Sequence, residues 1–155
     1  LYINAEGDER IGDYDAVPIL EAFIKGHPDF SYNGARMTLA LTGYNGVFGY
    51  RTDSSYKTGV GLTELQEKWL KANPEFDYEA EVAAAQEVAQ ALLDAGYEFA
   101  NKTWGDRIVG TSKLADLKTD NEKWKESVEP IIGKTDIFVF ELLLYLQKIV
   151  IKKLH

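Results

Sequence analysis

The chain predicts an α/β domain with a mostly parallel sheet and flanking helices, on three observations. Residues 36–42 alternate Met37, Leu39 and Leu41 with Thr38 and Ala40, the period of a strand. Two long stretches carry helical stripes: Val82, Ala85, Ala89, Leu92 and Leu93 over 78–95, then Leu114, Leu117, Asn121, Trp124 and Val128 over 112–128. Each stretch runs on into a strand pattern, 97–100 after the first and 137–140 after the second. Strand, helix, strand, helix, strand is the order that crossover connections impose, and crossovers make neighbouring strands parallel.

The remaining elements follow from local chemistry. Asp15 can accept from the free N–H groups of a first turn, and Pro18 tolerates that turn because its missing donor has no partner there. Val17, Leu20, Phe23 and Ile24 then recur at helical spacing until Gly26-His27-Pro28 stops the helix, with His27 as a cap. Residues 53–61 read as polar and mobile. Thr63 caps a short helix holding Leu65, Trp69 and Leu70, which ends before Pro74. Gly96 suits a left-handed helix end. From 137 to 151, 12 of 15 residues are apolar or Tyr, predicting a strand and then a helix with Leu143, Leu146 and Val150 on one face.

At 155 residues the chain is expected to be a single domain, 1–155, with an irregular lead-in over 1–12 and a divergent tail over 141–155. It has no Cys, which excludes a disulfide scaffold, a thiolate metal site and a cysteine nucleophile. His27 and His155 are its two histidines. The net charge of −8 repels phosphate backbones, so no nucleic-acid partner is expected. The charge is uneven: residues 1–100 carry 7 Lys+Arg against 17 Asp+Glu, and 101–155 carry 10 against 8. No signal peptide is visible, and no apolar run reaches the roughly 18 residues of a membrane span.

Ligands of parallel sheets bind beyond the carboxyl ends of the strands. Two loops qualify, 43–53 and 101–110. The first holds Gly43, Gly46 and Gly49 among three aromatic residues. It lacks the Lys-Ser/Thr of a phosphate loop, so the glycines are read as tight backbone packing. The second brings Lys102, Thr103, Trp104, Asp106 and Arg107 together. On spacing alone this is a surface loop with a Lys–Asp or Arg–Asp pair. Trp104 stands out as an indole among polar groups, the setting in which indoles stack on sugars. Trp69 and Trp124 lie on apolar helix faces and are read as core.

Several segments resemble the polysaccharide deacetylase family (NodB-like, carbohydrate esterase 4 type). They are His27-Pro28-Asp29-Phe30-Ser31-Tyr32-Asn33-Gly34-Ala35, the run from Ala40 to Thr52, Phe99-Ala100-Asn101-Lys102-Thr103-Trp104-Gly105-Asp106, and the run from Lys123 to Gly133. Together they span roughly residues 13 to 140. The resemblance implies a distorted (β/α) barrel and metal-dependent removal of acetyl groups from polysaccharide, with zinc held by one Asp and two His. The two His come from a His-Thr-Trp-Gly-His-like motif. Here Lys102 and Asp106 stand at the two His positions, with Thr103, Trp104 and Gly105 between them. Nothing before Asp13 resembles the family's Asp-Asp strand, and the stretch after Phe140 departs from its late barrel.

The resemblance therefore implies a truncated, degenerate member with a partial barrel and no expected cofactor. Such a member leans away from catalysis and keeps at most residual glycan binding, through Tyr44, Tyr50, Arg51 and Trp104. A second reading is an active hydrolase with an altered ligand set, zinc or another divalent metal held by Asp106 with His27, His155 or another carboxylate. A third is a protein-interaction domain. The expected partners are polysaccharide and a second copy of the chain, because open sheet edges and an apolar tail need cover. The family implies an extracellular or cell-surface bacterial setting.

Overall fold

The computed structural model describes residues 2–3, 9–10, 12, 15–141 and 148–152, and divides the chain into two compact units, 1–36 and 37–155. In the first unit, β1 (Tyr2–Ile3) pairs antiparallel with β2 (Glu9–Arg10). Helix α1 (Ala16–Gly26) starts as expected at Asp15, whose carboxylate accepts from the Ala16 N–H. It ends at His27, whose Nδ1 lies 3.0 Å from the Phe23 carbonyl and whose ring stacks on Phe23, so the cap reading holds. Two single helical turns follow, and Arg36 closes the unit through a two-pronged bond to Glu21. Not one residue of α1 is buried, although its sequence is apolar.

The second unit carries a four-stranded sheet in the order β3 (Thr38–Leu41), β4 (Glu98–Asn101), β5 (Ile137–Glu141), β6 (Lys148–Lys152). The first three strands are parallel, with Leu41 opposite Asn101 and Asn101 opposite Phe138. Strand β6 runs antiparallel to β5, from Ile137 opposite Lys152 to Glu141 opposite Lys148. This α/β sheet is open, with β3 and β6 at its edges.

The helices pack on one another through small and branched side chains. Ala85 and Ala89 of α4 (Tyr78–Asp94) are buried with Trp124 of α5 (Leu114–Ser127), Val128, and Ile131 and Ile132 of α6 (Glu129–Ile132). Alanine at the contact lets helix backbones approach closely. Phe99 of β4 and Val47 complete this core, and Leu39 and Leu41 pack against it. Trp124 also donates its indole N–H to the Leu41 carbonyl, fixing α5 against the end of β3.

Three expectations need correction. Residues 53–61 are not a mobile stretch: α2 (Ser54–Thr58) forms there, capped by Asp53, with Ser55 and Tyr56 buried. Two serines, a threonine and a lysine hide the helix in the sequence. Leu114 is not inward but 69% exposed, since the helix begins only there and its first turn overhangs the core. The short helix α6, absent from the sequence reading, carries Pro130 in its first turn, where a missing N–H has no partner to lose. Finally, 148–152 is a strand and not a helix. Pairing with β5 along Lys148–Lys152 satisfies backbone groups that a strand leaves open. Leu143 and Leu146 of the expected helix lie outside the described residues. Among the described residues no helix is long and apolar enough to cross a membrane.

Candidate functional site

The loops leaving the carboxyl ends of β3 and β4 meet at Trp104. Its carbonyl accepts from the N–H groups of Gly43 (3.1 Å) and Tyr44 (2.9 Å). Its own N–H donates to Asp120 of α5, and its indole N–H donates to Asp53 Oδ2 at 2.9 Å. One face of the indole lies under the Lys123 ammonium, 4.4 Å from the ring centroid, and Tyr44 meets it edge-on at 5.3 Å. A Cβ added at Gly43 would stand 2.7 Å from Trp104 Cδ1, so only glycine admits the indole here. At Gly46 a Cβ would strike the Tyr50 carbonyl and the Thr52 backbone. Both positions bear out the reading of tight packing, but Gly49 does not: a Cβ there would meet nothing within 4 Å, and that glycine serves a positive φ of 89° instead.

Asp120, 3% exposed, organises the second loop. It accepts from Trp104 N–H, from Gly105 N–H at 3.0 Å and from Arg107 Nε at 3.2 Å. A buried carboxylate is tolerated when its lone pairs are taken up in this way. Thr103 and Asp106 sit at positive φ, 65° and 53°. For a β-branched residue such as Thr103 this is strained, and it persists only where neighbours over-determine it. They do: Thr103 N–H donates to Asn101 Oδ1 at 2.7 Å, and Thr103 Oγ1 accepts from Arg107 N–H at 2.6 Å.

The turn brings Lys102 Nζ to 2.6 Å from Asp106 Oδ1, with the side chains 20% and 49% exposed. These residues do not fit zinc. An ammonium has no lone pair to give, and it occupies the carboxylate that could have ligated.

The remaining expected residues divide. Tyr44 joins Trp104, and its hydroxyl lies 3.5 Å from Thr63 Oγ1. Tyr50 packs against the core. Arg51 turns to α3 (Glu64–Ala72), its guanidinium 4.9 Å over the Trp69 ring, while its N–H donates to Glu81. His27 belongs to the first unit, and His155 lies outside the described residues. Sequence reasoning missed Asp53 and Asp120, which hold the site from opposite sides. A signal for Asp120 existed: it precedes Trp124 by four residues and so shares its helix face.

Beneath Tyr44, Asn45 Oδ1 accepts from the Tyr56 hydroxyl at 3.1 Å and from the Gln66 amide at 2.9 Å. Burial is the main cause holding the Tyr56 and Tyr78 hydroxyls above the usual tyrosine range. Lys57 is raised by its bond to Glu79, 2.8 Å away.

No family model, no curated protein and no solved structure matches this chain.

Proposed function

We propose that this chain is a non-catalytic relative of the polysaccharide deacetylases, with a partial, distorted (β/α) barrel and a weak glycan-binding surface. The observation that carries the reading is the Lys102–Asp106 ion pair, 2.6 Å long, at the two positions where the family has metal-binding imidazoles. Zinc hydrolysis requires a ligand set that donates electron pairs and an open position for water. A cation paired with a carboxylate supplies neither. The strained turn at Thr103 and Asp106 supports descent from a working site, because an exposed ion pair by itself needs no such backbone. Tyr44 and Trp104 support the glycan surface: two aromatic rings stand together at the carboxyl ends of parallel strands. Polysaccharide, a second copy of the chain along the open β3 edge, and a bacterial cell-surface setting belong to the same proposal.

Calorimetric titration with zinc is expected to give no saturable heat, and acetylated chitooligosaccharide is expected to yield no acetate. Zinc affinity that is lost in Asp106→Ala, accompanied by acetate release, overturns the reading in favour of a hydrolase with an altered ligand set. The glycan surface is tested by titrating chitooligosaccharide against the Trp104 indole N–H resonance. Tyr44→Ala, which leaves the bond to Asp53 in place, is expected to abolish the shift.

A further inference from the structure

A cavity of about 240 Å³ lies between the first half of α5 and the carboxyl ends of β4 and β5, on the helix-covered face of the sheet. Its walls are apolar. Phe138 and Phe140, alternate residues of β5, present near-parallel rings 5.9 Å apart at 13°, and Leu117 and Val109 complete the lining. Asn101, opposite Phe138 in the sheet and therefore on the same face, adds a polar floor that is 3% exposed.

The polar groups around this cavity share one property. Asn101 Nδ2 donates to Asn121 Oδ1 at 3.1 Å, and Asn101 Oδ1 already accepts from Thr103 N–H. The Asn121 amide keeps its Nδ2 donor without a partner in these bonds, and its oxygen is already engaged by Asn101. Lys118 adds an ammonium, which has no ion-pair partner among the described residues, and the lining contains no carboxylate. The side-chain oxygens of Asn101, Asn121 and Thr103 each already accept a bond, so the Asn121 Nδ2 and the Lys118 ammonium are the groups that call for a partner, an acceptor with negative charge. One amide and one ammonium match the two oxygens of a carboxylate and fall short of the donor set a phosphate needs. The volume lies below the 300–1,000 Å³ of drug-sized pockets, which rules out an oligosaccharide and suits a ligand of about ten non-hydrogen atoms.

We infer that this cavity is a binding site for a small monocarboxylate with a flat apolar body, its carboxylate between Asn121 and Lys118 and its body against Phe138 and Phe140. The site is separate from the Lys102–Asp106 pair and does not rest on the proposed relation to deacetylases. Charge and shape act together: the rings and Leu117 supply burial, and Lys118 selects the anion.

Benzoate, with benzamide as its neutral isostere, tests the inference by backbone and side-chain amide shifts in the intact protein. Benzoate is expected to bind with a Kd on the order of 1 mM, as ligand efficiency allows for so small a molecule, and to shift the Asn121 side-chain amide. Lys118→Gln, at an exposed position that leaves the fold intact, is expected to weaken benzoate about tenfold and to leave benzamide unchanged. Leu117→Trp, which fills the cavity, is expected to abolish both. Absence of a saturable shift overturns the site. Benzoate affinity unchanged in Lys118→Gln overturns the anionic class even if Leu117→Trp does not fold.

Discussion

The loops after β3 and β4 share Trp104 yet are held by different forces. The first, residues 42–53, adds bonds within itself to those it makes to Trp104, Glu81 and Gln66. Gly46 removes a side chain where the backbone closes, Tyr50 N–H returns to the Val47 carbonyl at 2.9 Å, and Val47 N–H donates to Thr52 Oγ1 at 3.1 Å. The second, 102–110, is held from outside by one buried carboxylate on α5. The same loop contains two ion pairs. In Arg107–Asp120 the carboxylate is 2% exposed and also binds two backbone N–H groups, whereas Lys102–Asp106 lies near the surface. The lesson is that charge near a site matters by its desolvation and by the backbone it holds, not by ion-pair distance.

The sharpest way to break this comparison is Asp120→Ala. Two backbone donors and a guanidinium lose their acceptor together, for an expected loss of about 3 kcal/mol, or roughly 10 °C of Tm, read by thermal unfolding. Asp120→Asn keeps an acceptor and should fall between the two proteins. Next comes Gly43→Ala, which drives a methyl group into Trp104 and Val128 for about 2 kcal/mol, with chemical denaturation as the measure. If Asp120→Ala cost less than Gly43→Ala, the carboxylate would not be what holds the second loop.

A pH series separates the loops in another way. The Tyr56 hydroxyl, bound to Asn45 of the first loop, is held neutral above its usual value of 10.0. A raised folded value means that the folded state keeps a proton the unfolded state has lost. The associated stability is complete below pH 10 and falls as pH rises through the folded value. Tyr56→Phe should flatten that alkaline limb in pH-dependent unfolding. The smallest effect is expected for Lys102→Ala: an ion pair half open to water contributes under about 1 kcal/mol, so Tm should hardly move. A large loss would show that the pair supports the strained turn at Thr103.

Legibility in the sequence followed the range of the interaction. The start of helix α3 could be read, because the Thr63 side chain caps it within three positions. Gly46 was also legible, since the backbone of Tyr50 and Thr52 a few positions on restricts it, whereas Gly43 is restricted by Trp104 and Val128 from far along the chain. Asp53 was not. Its carboxylate looked like part of a polar stretch, and only the return of Trp104 from 51 positions away gives it an indole partner. Gln66 is similar, exposed by its polarity and buried by Asn45. The tail was misread because an apolar run has no period of its own once both faces of a strand are apolar.

What the sequence determined by itself is whatever depends on neighbours along the chain: the caps at Asp15, Thr63 and Asp77, the alanine face of α4, the left-handed turn at Gly96, and the presence of an ammonium and a carboxylate at 102 and 106. The Lys–Asp pair read from spacing closes between Lys102 and Asp106; tertiary structure alone decided that Asp120 carries the loop, that β6 runs back along β5, and that Asn121 faces a cavity. The physical reason is that capping and periodicity are paid within one or two turns of chain, whereas desolvating a carboxylate depends on groups that only folding brings within 3 Å of it.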